Sequence, residues 1–261
     1  MKATLYILTL GLLMTLFSSR QPNDNADSTS PDKILQEALK IANQNIDKDR
    51  FVQKYEVSSD CIPISVEIEL DYHFTKANPH LIIRRSELSV IYIDIYTKID
   101  GKFGKVLSHE QWTMEYVDDT VWDINGDGLK DFVVNRYGSN GCCLKAFSNV
   151  YLLRADKISF SNDFDFVNPT FSPKEKIVRG VCYGHPGETE MYKYKWNGEQ
   201  IDTLEYVSYQ KNEEGVKTGK IIISTGGQYD NKSKRLRVLD SVPKEYREIQ
   251  GYDWFTGNGY D

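Results

Sequence analysis

The segment Asp123-Ile124-Asn125-Gly126-Asp127-Gly128-Leu129-Lys130-Asp131 places oxygen-bearing side chains at its first, third, fifth and ninth positions, with Gly128 at the sixth. The alternation throws carboxylates and an amide toward one centre, and the glycine allows the sharp turn that brings them there. The backbone carbonyl of Leu129 adds a further oxygen. Hard cations such as Ca2+ take six to eight oxygens at about 2.3–2.6 Å, whereas Mg2+ holds its waters and demands strict octahedral geometry. The predicted chemistry is therefore Ca2+ binding by Asp123, Asn125, Asp127, Leu129 (through its carbonyl) and Asp131. The loop departs from an EF-hand, because Val134 stands where a bidentate Glu would be and Asp131-Phe132-Val133-Val134 reads as a strand. An affinity of about 10⁻⁴–10⁻³ M, that of extracellular modules, is expected. Asp118 and Asp119 lie just upstream and are expected to add negative potential. The competing reading is a tight turn in which Asp and Asn serve only their own backbone hydrogen bonds.

Other constellations are weaker. His73, His80, His109 and His185 are scattered, with no HExxH or paired-ligand spacing, which disfavours a zinc hydrolase. His109-Glu110 reads as a surface pair. Glu67, Glu69 and Asp71 share one strand face and read as its solvated side, since glycosidase chemistry needs two carboxyls at a defined separation. No GxSxG elbow is present, and Gly226-Gly227 does not form a phosphate loop. Tyr183-Gly184-His185-Pro186-Gly187 and Gly251-Tyr252-Asp253-Trp254 read as loops whose aromatics suit glycan or protein contacts. Most other aromatics are expected to pack across strands. Asn231-Lys232-Ser233 is a glycosylation sequon, without meaning in a bacterial chain.

The elements that must position the loop follow from the rest of the 261 residues, 40% of them hydrophobic and 27% charged. The composition is that of a globular protein. The net charge of −6 argues against nucleic acid as a partner. Met1-Lys2 followed by the uncharged run Ala3–Phe17 and a polar tract reads as a signal peptide over 1–19. The run is shorter than the about 20 residues of a membrane span, although an uncleaved anchor is the alternative. Residues 20–30 read as a flexible leader and 31–261 as a single β-rich domain carrying the loop at 123–131. Export suits an even count of cysteines, and four allow three pairings. A Cys142–Cys143 bond would close a strained ring, so Cys61 and Cys182 are each expected to bond one member of the adjacent pair. A zinc site wants CxxC-type or His-flanked spacing, which these cysteines lack.

Helical spacing of Ile34, Leu35, Ala38, Leu39, Ile41 and Ala42 predicts one short helix over Pro31–Asn45, with Ser30 as N-cap. From Tyr55 onward the period becomes two. Strands are predicted over Ile64–Tyr72, Leu88–Tyr96 (apolar on both sides), and a return from Asp100-Gly101 through Val106. Further ones are predicted at Trp112–Tyr116, Phe132–Asn135, Val150–Leu153, Met191–Trp196, Ile201–Tyr206, Lys220–Ser224 and Leu236–Leu239. Asn197-Gly198 is a hairpin signal. The fold class is thus all-β dominated, with antiparallel sheets, propeller-blade-like or sandwich-like, and one N-terminal helix. No block repeats, so a full propeller of equivalent blades is not expected. The tail from Tyr246 to Asp261 has no assignment.

Trp122 through Val134 resembles the calcium loop and following strand of FG-GAP/VCBS-type repeats, the blades of integrin-α-like propellers. A looser similarity over about Leu81–Tyr209, through Tyr137-Gly138-Ser139-Asn140-Gly141, Asn168-Pro169 and Tyr194–Gly198, is to small exported bacterial proteins with a single such loop. Gly141-Cys142-Cys143 departs from the plain Gly-rich loop expected there. The resemblance implies the same five ligands for Ca2+ as cofactor and a secreted or periplasmic binding module rather than an enzyme. It further implies an envelope protein or glycan as partner, as for relatives that inhibit peptidoglycan-cleaving enzymes or confer immunity to them. The alternative is a secreted hydrolase of cell-wall or polysaccharide substrates.

Overall fold

The computed structural model describes residues 30–59 and 62–260. The expected signal peptide, nearly all of the leader, and Cys61 lie outside the described residues. Among the described residues, no helix is long and apolar enough to cross a membrane.

Helix α1 (Pro31–Gln44) starts with proline at its first turn and buries Ile34, Ala38 and Ala42 along one face. Among the described residues, fifteen strands follow in three antiparallel sheets, and each sheet is a simple meander in chain order. The first sheet holds β1 (Phe51–Val57), β2 (Ile64–Asp71), β3 (His80–Ser86), β4 (Val90–Ile99) and β5 (Lys102–Trp112). The second holds β6 (Tyr116–Trp122), β7 (Asp131–Tyr137), β8 (Ala146–Tyr151) and β9 (Phe164–Val167). The third holds β10 (Pro169–Ser172), β11 (Ile177–Val181), β12 (Met191–Asn197), β13 (Gln200–Lys211), β14 (Lys217–Ser224) and β15 (Arg235–Leu239).

The layers stack in sequence order, because side chains alternate across each strand. α1 and Leu81, Ile83, Val66 and Ile68 form one core on the first sheet. The opposite face of that sheet, with Ile82, Ile93 and Ile95, meets Phe132 and Val134 of β7. The other face of β7 turns Val133 toward Val178, Tyr192 and Trp196 of the third sheet. The outer face of the third sheet is covered by the C-terminal segment, whose Tyr246 and Phe255 are fully buried against Met191, Val207 and Ile223. The tail therefore has a structure: a 3-10 turn at Lys244–Tyr246 and a short helix α2 (Tyr252–Thr256) that cap the stack.

Polar ties fix the layers to one another. Arg85 donates to the Pro31 carbonyl and to Asp94, joining α1 to the first sheet. Burial alone would raise the Asp94 carboxyl, but hydrogen bonds from Lys105 and Ser108 and the charge of Arg85 hold it below the usual range. Asn168, at φ 47, joins the second and third sheets. It accepts from the Ala146 N–H and donates to the Leu144 and Val181 carbonyls.

Several expectations need correction. The alternating Trp112, Met114 and Tyr116 do not form one strand: Trp112 ends β5, Tyr116 opens β6, and Met114 sits exposed in the turn between two sheets. Leu88 lies outside β4 and is exposed. The hairpin at Asn197-Gly198 pairs Asn197 with Gln200, so its two loop residues are Gly198 and Glu199.

His80 is fully buried beside the Phe74 ring, with centroids 4.9 Å apart. Burial, helped by His73, lowers its pKa to about 4. The unfolded chain therefore takes up a proton near pH 6.5 and the folded chain only near 4. The stability His80 confers is whole above pH 6.5 and is lost between 6.5 and 4, on the order of 3 kcal/mol. His73 and His109 are lowered in the same direction, so the comparison must isolate one residue. Melting temperatures across that window should fall less steeply for His80→Leu than for the parent chain; parallel curves would contradict the assignment.

Candidate functional site

The predicted cation loop is the connection between β6 and β7, whose register pairs Trp122 with Asp131. Asp123 turns inward and caps the loop: its carboxylate accepts the N–H groups of Gly126 (2.7 Å), Asp127 (3.2 Å) and Gly128 (3.0 Å). Asn125 accepts the Asp127 N–H and donates its amide to the Asp127 carboxylate. Asp127 also accepts the Leu129 N–H at 2.8 Å. Gly126 and Gly128 take φ of 75° and 88°, which side chains resist. A Cβ on Gly126 would fall 2.0 Å from the Pro173 carbonyl oxygen. Ile124, fully buried, anchors the loop in the core between the second and third sheets, and Leu129 packs on the core between the first and second.

Asp131 is the keystone of this connection. It is fully buried, and its two oxygens accept the N–H groups of Ile124 (3.0 Å) and Leu153 (2.9 Å). Burial raises its pKa to about 7; the two N–H groups oppose that rise, and the nearby Asp127 and Asp123 add to it. The donor set is all oxygen, the chemistry that suits Ca2+. The side chains serve the backbone of the loop as arranged here, and their remaining lone pairs are what a cation would use. The upstream acids are engaged elsewhere. Asp119 takes a two-pronged contact from Arg84 and the Tyr116 hydroxyl, and Asp118 accepts from Asn135. Each member of the Glu67, Glu69 and Asp71 row has a basic partner: Lys54, Arg84 and Arg50.

A trough of about 600 Å³ runs over β6, β7, β8 and β10. Trp122, Tyr137, Phe147 and Phe171 line it, with Asn135 and Arg136 between them. Trp122 immediately precedes Asp123 and meets Phe171 edge-on. Arg136 lies over the Phe147 ring at 4.2 Å. A second, polar depression of about 370 Å³ gathers His109, Glu110, Arg136, Tyr151 and Asp163. There the His109 Nδ1 and the Tyr151 hydroxyl are 2.7 Å apart. His109 is buried, unlike the surface pair expected with Glu110.

Among the described residues, the group of His, Cys, Asp or Glu ligand atoms that gathers within 4.8 Å is Cys142, Cys143 and His185. Sequence spacing missed it, because Cys142 and His185 stand 43 residues apart. A local signal existed in the glycines flanking both, Gly141 and Gly184 with Gly187. The two expected aromatic loops meet here. The Trp254 indole N–H donates to the Gly184 carbonyl, and the Gly187 N–H donates to the Trp254 carbonyl. Gly251–Trp254 is not a free loop, since it leads into and forms most of α2. Among the described residues Cys142, Cys143 and Cys182 form no disulfide with one another, and Cys61, an expected partner, lies outside them. Burial pushes the Cys182 thiol up to about 12.

No family model matches the chain, and no curated protein does. A solved structure described as a Xanthomonas type IV secretion system related protein aligns over 72% of this chain and 99% of its own, at 11% identity and a TM-score of 0.35. A likeness that loose bears on neither fold nor function.

Asp131→Ala strands two buried backbone donors. The expected cost is about 2–4 kcal/mol in chemical denaturation, with Asp131→Asn, which keeps one acceptor, losing less. Equal stability of both variants and the parent would remove the keystone role.

Proposed function

We propose that this chain is an exported, Ca2+-binding β-rich module. It acts by binding an envelope protein or glycan, in the manner of an inhibitor or immunity protein directed at a cell-wall hydrolase. The observation that carries the reading is continuity: β6 and β7, the two strands that the Asp123–Asp131 loop joins, line the aromatic trough together with β8 and β10, and Trp122 is the residue before the first acid. The charge of a bound Ca2+ would offset repulsion among Asp123, Asp127 and Asp131. Asp123, Asn125, Asp127, Asp131 and the Leu129 carbonyl would hold it. The loop residues themselves fix the end of β6, and so the rim of the trough. Trp, Tyr and Arg are the residue types that anchor recognition surfaces, and Trp122, Tyr137 and Arg136 present them together. Export would remove residues 1–19.

Millimolar Ca2+ should raise the melting temperature by several degrees, and Asp127→Ala should abolish the gain. A pull-down from envelope extract should retain a partner with the parent chain and lose it with Trp122→Ala. A melting curve indifferent to both calcium and chelator would sink the ion. Equal capture by the parent and Trp122→Ala would sink the trough.

The hydrolase alternative is favoured by the polar depression, where His109 is buried and in contact with Tyr151, and Glu110 and Asp163 supply carboxylates. On that reading the purified chain solubilises peptidoglycan or polysaccharide, and His109→Ala slows it at least about 100-fold, the usual worth of a general acid or base. No release of soluble fragments by the parent chain would eliminate it.

A further inference from the structure

We propose that Cys142, Cys143 and His185 form a binding site for a zinc-class cation, separate from the calcium loop and independent of the binding reading. The cysteines are adjacent, yet both sulfurs point to one side, with Sγ atoms 3.7 Å apart. The Cys142 Sγ lies 3.5 Å from the His185 Nδ1, and all three ligand atoms fall within 4.8 Å of one another. Zinc bonds sulfur at about 2.3 Å and imidazole nitrogen at about 2.0–2.1 Å. The edges of its tetrahedron are then about 3.8 Å between sulfurs and about 3.5–3.6 Å from sulfur to nitrogen. The Cys142–Cys143 edge at 3.7 Å and the Cys142–His185 edge at 3.5 Å match those lengths before any ion is bound.

The support around the ligands points the same way. Gly141, at φ 94°, admits the Tyr183 hydroxyl, which would lie 2.7 Å from any Cβ there. Lys145 holds the Gly141 carbonyl at 3.0 Å. On the other side, the two hydrogen bonds to Trp254 fix Gly184 and Gly187 on either side of His185. Cys143 is buried while Cys142 and His185 reach solvent. Three protein ligands at a wet edge leave the fourth position to water or to an incoming group, the arrangement of an exchangeable rather than a closed structural site. On binding, two thiol protons pass to solvent as two sulfur–metal bonds form, and His185 gives its Nδ1 lone pair.

The test uses the full chain with its thiols reduced and no chelator. Titration with Co2+ should reach one equivalent, with sulfur-to-cobalt charge-transfer absorption in the near ultraviolet and the intense visible bands of four-coordinate cobalt, both erased by Zn2+. Cys142→Ser, at an exposed position, and Cys143→Ser should each weaken zinc more than about 100-fold, beyond the cost of an outer-shell change. His185→Ala should keep sulfur charge transfer and alter the visible bands. Asp127→Ala should bind zinc as the parent does. The proposal fails if charge transfer is absent, if binding survives all three ligand substitutions in folded protein, or if peptide mapping of the native protein finds Cys142 or Cys143 in a disulfide.

Discussion

A strand that is apolar on both faces must be covered on both faces, and β7 imposes that condition on the molecule. Phe132 and Val134 face one way and Val133 the other, and all three are buried. The second sheet is therefore sandwiched, and the first and third sheets become its two covers. Each cover in turn presents an outer apolar face. One is closed by α1 and the other by the C-terminal segment. The order of layers follows the order of the chain because every sheet is a meander and every interface joins consecutive layers.

The loop sits where this stack is most constrained. Its Ile124 enters one interlayer core and its Leu129 the other, so the connection between β6 and β7 is clamped by both neighbours of the middle sheet. Asp131 then carries a conflict. Its oxygens are needed by two buried N–H groups, yet burial and two neighbouring acids disfavour its charge. Capping accounts for the positions of Asp123 and Asn125 through hydrogen bonds alone, as turn chemistry can. The concentration of three carboxylates within nine residues is the part that turn chemistry leaves over.

Much of the architecture was legible wherever one period ruled a segment. The helix at Pro31, the alternation of Ile64 to Leu70 and the Tyr192–Trp196 strand all announce themselves because one face is wet or one stripe is apolar. β3 and β11 escape prediction because their apolar runs, Leu81–Ile83 and Ile177–Val178, are too short to mark a strand without alternation, whereas the longer run in β4 does. Met114 misled for the opposite reason: chance alternation continued across a boundary between two sheets. The acidic loop at 123–131 is visible in sequence because its oxygen-bearing residues are local. The thiol–imidazole cluster is not, since its ligands meet only after the second and third sheets have packed and α2 has folded over the edge.

The C-terminal cap holds a further implication. Tyr246 and Phe255 contribute no strand, yet they are what separates the apolar outer face of the third sheet from water. Chain synthesis delivers them after every strand of that sheet, so until they emerge this face stands bare, in the neighbourhood of the edge strand β15. An exposed hydrophobic sheet beside an open edge invites self-association, so the nascent protein passes through a sticky interval. Helpers that shield nascent chains would be needed most in that interval.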